Sequence, residues 1–155
     1  MTAPFSLDAL QNIIVEEVGS TEVTPVPMGD HNAYIEKQEL KTWQKKDDPT
    51  ISGVKLLVTW NIEDQAVRDL LGRDKVFVQQ DIMLEVDENG DLPMGKGRNV
   101  DLNRLRAAVG MNQAGRPFSF PNLVGQQARI TVKHDLDRDD PNKVYARVKA
   151  VGART

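Results

Sequence analysis

The order of the strand and helix signals is the feature of this chain that most restricts its fold. The clearest strand signal spans residues 54–62, where apolar side chains alternate with Lys55, Leu57, Thr59 and Asn61. The pattern is typical of a strand buried on one face and predicts Trp60 as a core residue. An apolar stripe at helical spacing predicts one main helix over about residues 99–109, ending at Gly110. Three strands are predicted before this helix and two after it, at about residues 30–41, 54–62, 76–86, 127–134 and 143–151.

This order predicts the fold class. Three strands, a helix and a strand hairpin follow the order of the OB-fold, a five-stranded barrel. Hairpin-connected strands with one interposed helix exclude a doubly wound parallel sheet, which needs helices between most of its strands. A β-sandwich needs about seven strands, more than the pattern supplies. We therefore predict a mainly β domain over residues 29–155, a five-stranded antiparallel OB-like barrel with the main helix between strands three and four.

Two smaller features complete the predicted organisation. A short helix over about residues 63–71 is expected to end at Gly72 in a left-handed cap. Residues 1–28 predict an N-terminal arm, in which Ser6 can cap a helix that reaches about Glu17. The apolar residues of that helix recur at helical spacing: Leu7, Leu10, Ile13 and Ile14. Such an arm packs on its own domain, packs on a neighbouring subunit to make a homo-oligomer, or is disordered.

Composition and motifs favour a binding protein over an enzyme. The chain of 155 residues has no cysteine, which removes disulfides, thiolate catalysis and cysteine-based zinc sites. Residues 135–140 have the acidic spacing of a calcium loop, but Asp140 stands where Gly is required and Ala146 where the closing Glu is required. No apolar run approaches the ~18 residues of a membrane span, and no signal-peptide pattern is present. We expect no catalytic residues, no metal, no cofactor and no membrane association.

The formal net charge of −3 argues against a generic nucleic-acid binder. The acidic residues cluster in two predicted turns, however, at residues 87–91 and 135–140. Basic residues are therefore enriched elsewhere, and a basic groove can coexist with acidic loops.

The first candidate nucleic-acid surface is the loop predicted after strand one. It places an aromatic side chain among lysines: Lys41, Trp43, Lys45 and Lys46. Single-stranded nucleic acid is bound by cations along its backbone and by flat rings against its bases, with each stacked base contributing ~1–3 kcal/mol. The alternative is a tryptophan packed over a barrel end with solvated lysines around it.

Two further basic groups are candidates for phosphate contact. Alternation in the last hairpin directs Val144, Ala146, Val148 and Ala150 to the core. The opposite face then carries one aromatic and four cations: Arg129, Lys133, Tyr145, Arg147 and Lys149. Lys96 and Arg98 precede the main helix, whose N-terminal amides attract anions. The alternatives are an ordinary solvent-facing strand pair and a flexible turn.

Several segments carry a family resemblance. They include Val-Thr-Trp-Asn-Ile at residues 58–62, Met-Gly-Lys-Gly-Arg-Asn at residues 94–99, Ala-Ala-Val-Gly at residues 107–110 and Leu-Val-Gly at residues 123–125. With the lysine-rich segment before residue 52, these resemble the single-stranded DNA-binding proteins of tailed bacteriophages, a loose family with an OB-fold. The resemblance implies sequence-tolerant coating of single-stranded DNA in the host cytoplasm, during replication or recombination.

Two features of the chain bear on that expectation. Many single-strand binders end in an acidic tail that recruits other replication proteins, whereas this sequence ends in Val-Gly-Ala-Arg-Thr. The apolar-faced arm and the acidic pI of about 5.4 also suit a virion structural protein, such as a capsid-decorating or tail-associated component. Both functions are carried forward as expectations.

Overall fold

The computed structural model describes residues 6–20, 24–140 and 142–154. The described chain is mainly β, with five strands, three short α-helices and one 3₁₀ turn. The strands are β1 (Gly29–Lys45), β2 (Asp48–Ile62), β3 (Phe77–Leu84), β4 (Gln127–Leu136) and β5 (Val144–Gly152). The helices are α1 (Leu7–Gln11), α2 (Gln65–Leu71) and α3 (Val100–Ala108), and the 3₁₀ turn spans Phe120–Leu123. None of the helices described is long and apolar enough to cross a membrane.

The five strands form one sheet that closes in a ring, in the order β1-β2-β3-β5-β4 with β4 pairing back onto β1. The prediction of a purely antiparallel sheet was wrong, because β3 and β5 run parallel where Gln79 pairs with Arg147. The other four junctions are antiparallel. Strand direction alternates across each antiparallel junction, so a closed ring with an odd number of strands must contain at least one parallel junction.

The hairpin of β1 and β2 is much longer than predicted. Lys41 and Trp43 lie in β1 and Lys45 ends it, so the expected loop is reduced to Lys46 and Asp47. The turn-forming residues that suggested a loop are accommodated by a register shift after Gln44. Pro49 is tolerated there because β3 pairs with β2 only from residue 54 onward, which leaves this part of β2 at an edge. The ribbon, defined as Trp43–Gly53, thus pairs only with itself.

The core lies inside the ring and matches the predicted alternation in β2. Leu56, Val58 and Trp60 are fully buried, which confirms Trp60 as a core residue. Burial of each such side chain favours folding by roughly 1.5–3 kcal/mol. Gln80 interrupts the apolar pattern of β3 because its side-chain oxygen accepts a hydrogen bond from the indole Nε1 of Trp60 at 3.0 Å.

The positions of helices α2 and α3 agree with the sequence prediction. α2 ends at Gly72 in the predicted left-handed conformation, with φ 64°. Leu102 and Leu105 of α3 are fully buried. Asn99 precedes α3 in a left-handed conformation but makes no capping hydrogen bond. Its amide instead bonds the backbone N–H and C=O of Glu85 at 2.8 and 3.0 Å, which holds the β3–α3 connector against the end of β3.

Two sequence expectations fail at the ends of the domain. α1 stops at Gln11 rather than Glu17, because no described partner covers the rest of the segment and short isolated helices are marginal in water. Val26 belongs to the core, and its carbonyl oxygen lies 2.6 Å from the ring Nε2 of His134. The core therefore includes a residue of the segment predicted as the arm.

A register shift also changes one face assignment in β5. Thr131 pairs with Ala150 and Val132 with Val148, so Lys149 is the extra residue of a β-bulge. Ala150 is consequently exposed, contrary to the prediction, and Val151 packs against the core instead.

Candidate nucleic-acid interface

The outward side of β1, β2 and β3 brings Lys41 and Trp43 together with groups that lie far away in the sequence. Cross-strand partners share one face of a sheet, and the fully buried residues of β2 fix which face points inward. The opposite side is called the outer face here. Its residues are Lys37, Glu39, Lys41 and Trp43 on β1, Gly53, Lys55, Leu57 and Thr59 on β2, and Phe77, Gln79, Asp81 and Met83 on β3.

The indole ring of Trp43 packs closely against the neighbouring strand. Trp43 pairs with Gly53, and a Cβ atom added to Gly53 would fall 2.8–2.9 Å from the indole ring. Only a glycine therefore leaves room for the ring in this position. Trp43 is half-buried, neither sealed in the core nor fully exposed.

Each lysine of the outer face lies near a carboxylate; Lys37 and Lys41 remain exposed, whereas the Lys55 side chain is 24% exposed. Lys37 and Lys41 flank Glu39 at 2.9 and 3.5 Å, and Lys55 lies 3.5 Å from Asp81. The hydrogen bond from Lys37 is the largest cause that lowers the pKa of Glu39. Such surface pairs contribute little to stability, so a phosphate group can compete for the ammonium groups.

Lys41 and Lys55 form a cross-strand pair of like charges. Directly opposed like charges destabilise a sheet, and each of these two lysines is paired with one carboxylate, Glu39 or Asp81. An anion placed between the two ammonium groups would relieve their repulsion. Lys45 and Lys46 lie at the ribbon turn, and no carboxylate of the described chain lies within 4.0 Å of either.

The outward side of the β4–β5 hairpin carries the second predicted group. Lys133 pairs directly with Arg147, a second pair of like charges, and Arg129 faces Gly152. The sequence prediction missed Asp135, whose carboxylate lies 3.3 Å from both Arg147 and Lys149. The positive charge of this surface is therefore smaller than the sequence suggested.

Tyr145 lies on the same side with 46% of its surface exposed. Its hydroxyl donates a hydrogen bond of 2.7 Å to Asp137. This bond is the largest cause that lowers the pKa of Asp137 and raises the pKa of Tyr145. The ring is thus held in place by its hydroxyl while remaining accessible to a ligand.

The parallel junction joins these two surfaces. Gln79 of the outer face pairs with Arg147, which in turn pairs with Lys133. Beside this junction the strands separate, and a cleft of about 570 Å³ opens between β3 and β5. Arg104 of α3 lines this cleft and was not predicted as a site residue.

The third predicted group is set apart on the β3–α3 connector. Arg98 is bound by Glu85 at 2.7 Å, and this hydrogen bond is the largest cause that lowers the pKa of Glu85. Lys96 is exposed, and a shallow groove connects both residues to Arg104. Because Arg98 is neutralised by Glu85, the connector offers less free positive charge than its sequence suggests.

Sequence reasoning also missed four residues of the outer face. Lys37, Lys55, Phe77 and Met83 all point outward beside the predicted group. The alternation of β2 already placed Lys55 on the outward side. Phe77 and Met83 could not be assigned to the same surface without the register between β2 and β3.

The net negative charge of the chain comes from its first 23 residues. They contain Asp8, Glu16, Glu17 and Glu22 and no Lys or Arg. The remaining residues hold all 20 basic side chains and 19 of the 23 acidic ones, so their formal charge is +1 while that of the whole chain is −3. The acidic pI therefore reflects the arm and not the strand domain.

No group of three or more His, Cys, Asp or Glu side chains within the described ranges is arranged to hold a metal ion. No protein-family model matches this chain, and no curated protein sequence matches it.

Proposed function

We propose that the ring is an OB-like barrel and that its outer face binds single-stranded DNA without sequence preference. The proposal rests on one observation above all. The indole ring of Trp43 packs against Gly53, next to the opposed cations Lys41 and Lys55. Stacked bases need a flat apolar surface, and the phosphates between them need nearby positive charge.

In this proposal Trp43 stacks on one base while Lys41, Lys45, Lys46 and Lys55 contact the adjacent phosphates. Phe77 and Met83 add exposed apolar surface for further bases, at 47% and 54% exposure. These contacts involve π-faces and backbone charges that all nucleotides share, so they carry no sequence information. The protein would coat exposed single strands in the host cytoplasm, during replication or recombination.

The parallel junction extends the proposed track beyond the outer face. A strand that crosses Gln79 next meets Arg147 and Lys133, with Arg129 further along β4 and Lys149 on β5. Tyr145 offers a second exposed ring on this side. Lys96 and Arg98 are proposed as peripheral contacts, because Arg98 has to break its ion pair with Glu85 before it can bind a phosphate group.

Titration with labelled oligo-dT at several salt concentrations tests this function. We expect log K to fall linearly with log salt, by about 0.7 for each phosphate neutralised. Trp43→Ala is expected to weaken binding by ~1–3 kcal/mol, roughly 5- to 150-fold, because one stacked base is lost. Undetectable binding at both low and high salt would rule the function out.

Trp60→Phe is the matched control for this experiment. It removes the indole hydrogen bond to Gln80 in the core, which should lower the free energy of unfolding by roughly 1–3 kcal/mol. The affinity of the folded protein for oligo-dT should remain unchanged. A loss of affinity equal to that of Trp43→Ala would show that the effect is not local to the outer face.

A virion structural role is a second candidate, favoured by the exposed apolar side chains of the arm. In that role the arm would contact a neighbouring subunit in a capsid or tail. Mass spectrometry of purified particles separates the two functions. High copy number in virions supports the structural role, and absence from virions supports the DNA-binding role.

A further inference from the structure

The N-terminal arm exposes more apolar surface than a solvated segment needs. Its apolar side chains are between 56% and 99% exposed: Leu7, Leu10, Ile13, Ile14, Val15 and Val18. No residue of α1 is buried and residues 6–20 are exposed throughout, so this part of the arm, unlike Val26, does not pack on its own domain as one sequence alternative expected. Contiguous exposed apolar surface of this kind marks an interaction site.

The arm also differs from the rest of the chain in charge. The described part, residues 6–20, carries Asp8, Glu16 and Glu17 and no cation. All 20 basic side chains lie in the rest of the chain. A partner surface for the arm must therefore combine exposed apolar groups with positive charge, because opposite charges favour association and like charges oppose it.

The outer face satisfies both requirements. Phe77, Met83 and the half-buried Leu57 share this face with Lys37, Lys41 and Lys55. Met83 pairs with Lys55, and Leu57 lies between Glu39 and Asp81, so the three lysines outnumber the two carboxylates. Two other exposed apolar residues of the domain have acidic neighbours along the chain. Leu136 lies between Asp135 and Asp137, and Leu70 follows Asp69.

We propose that the arm of one copy, residues 7–18, binds the outer face of a second copy. The arm of the same chain is exposed along its described length, which favours a partner molecule as its acceptor. Extended, these twelve residues span up to ~40 Å, enough to follow the outer face along a full strand. Because the arm and single-stranded DNA need the same cations, self-association and DNA binding exclude each other. The exclusion rests on the proposed function, whereas the self-association does not.

Light scattering of the full-length protein over a range of concentrations tests the self-association. The wild type should form dimers or larger species, and the variant Asp8→Asn/Glu16→Gln/Glu17→Gln should shift toward the monomer mass. Asp74→Asn/Glu88→Gln/Asp139→Asn is the matched control, since it removes the same charge from exposed positions elsewhere and should leave the mass distribution unchanged. A monomeric wild type at all concentrations, or equal shifts in both variants, would overturn the proposal.

A second measurement locates the acceptor surface. A fluorescein-labelled peptide with the sequence of residues 6–20 should bind the full-length protein, and Phe77→Ser should weaken that binding several-fold. Oligo-dT should displace the peptide, and the triple arm variant should bind oligo-dT several-fold more tightly than the wild type. Peptide binding that survives both Phe77→Ser and saturating oligo-dT would overturn the shared surface. Self-association without any oligo-dT binding would instead refute the DNA-binding function and leave the arm contact standing.

Discussion

At the scale of single residues, the contact between Trp43 and Gly53 determines whether a flat ring is available on the outer face. A ring held across a glycine loses little further rotational freedom when a base stacks on it, so less entropy opposes binding. Any residue with a Cβ atom in place of Gly53 would occupy the space that the Trp43 ring now fills.

Gly53→Ala tests the role of that position. The added methyl group would lie 2.8–2.9 Å from the indole, so the ring must move, and the affinity for oligo-dT should fall toward that of Trp43→Ala. In the Trp43→Ala background the same substitution should have no further effect. Gly152→Ala is the control, because its Cβ meets only Arg129, at 3.8 Å. An unchanged affinity in Gly53→Ala would show that the ring does not stack in this orientation.

The hydrogen bond between Tyr145 and Asp137 should stabilise the protein by an amount that depends on pH, and Tyr145→Phe removes this bond. The Tyr145 hydroxyl lowers the pKa of Asp137 below its ordinary 3.8, so its contribution is lost as pH falls through the lowered value. The pKa of Tyr145 is raised above 10.0, so that contribution is lost as pH rises through the raised value. The difference in Tm between wild type and variant should therefore be largest from about pH 4 to 10 and close at both extremes. A difference in Tm that persists unchanged well below pH 4 and well above pH 10 would contradict this assignment.

At the scale of elements, the β1–β2 ribbon shows where sequence reasoning reached its limit. Alternation in β2 was correctly predicted because its inner face is fully buried. The ribbon is buried on neither face, so its polar residues and Pro49 suggested a loop. That Trp43 would lie opposite Gly53, and Lys41 opposite Lys55, follows from the register, which the sequence of one strand does not determine.

The opposed lysines on the outer face predict a trade-off between stability and binding. Lys41→Gln should leave the free energy of unfolding unchanged or raise it by at most about 1 kcal/mol, because a like-charge pair is removed. The same substitution should weaken oligo-dT binding and reduce the salt slope by about 0.7. Urea unfolding and salt-dependent titration measure the two effects. Lys143→Gln, in the β4–β5 turn, is the control for loss of one positive charge; an equal loss of binding in both variants would exclude a local contact.

At the scale of the whole molecule, the sequence predicted the five strands, the helix between strands three and four and the core position of Trp60. The parallel junction was missed although the closure of five strands requires one. That junction matters for the candidate site, because Gln79 and Arg147 join two surfaces that would otherwise be separate. Asp135 and Glu85 were missed as partners of Arg147, Lys149 and Arg98, since ion pairs between distant segments depend on the fold and not on spacing.

Charge at this scale is divided between the arm and the strand domain. A domain with a formal charge of +1 can bind DNA through a local arrangement of cations, while the acidic arm lowers the pI of the whole chain. The acidic arm therefore explains the low pI of the chain, and the cations of the outer face are the groups proposed to bind DNA.

The most direct test of the proposed interface is a titration of the full-length protein with oligo-dT, followed by ¹H–¹⁵N NMR. The two tryptophan indole signals are the observables. Trp43 lies on the outer face, whereas Trp60 is buried and bonded to Gln80, so the two signals serve as probe and internal control. We expect the Trp43 signal to shift progressively and the Trp60 signal to stay in place. A titration in which the Trp43 signal does not move would contradict the proposed interface.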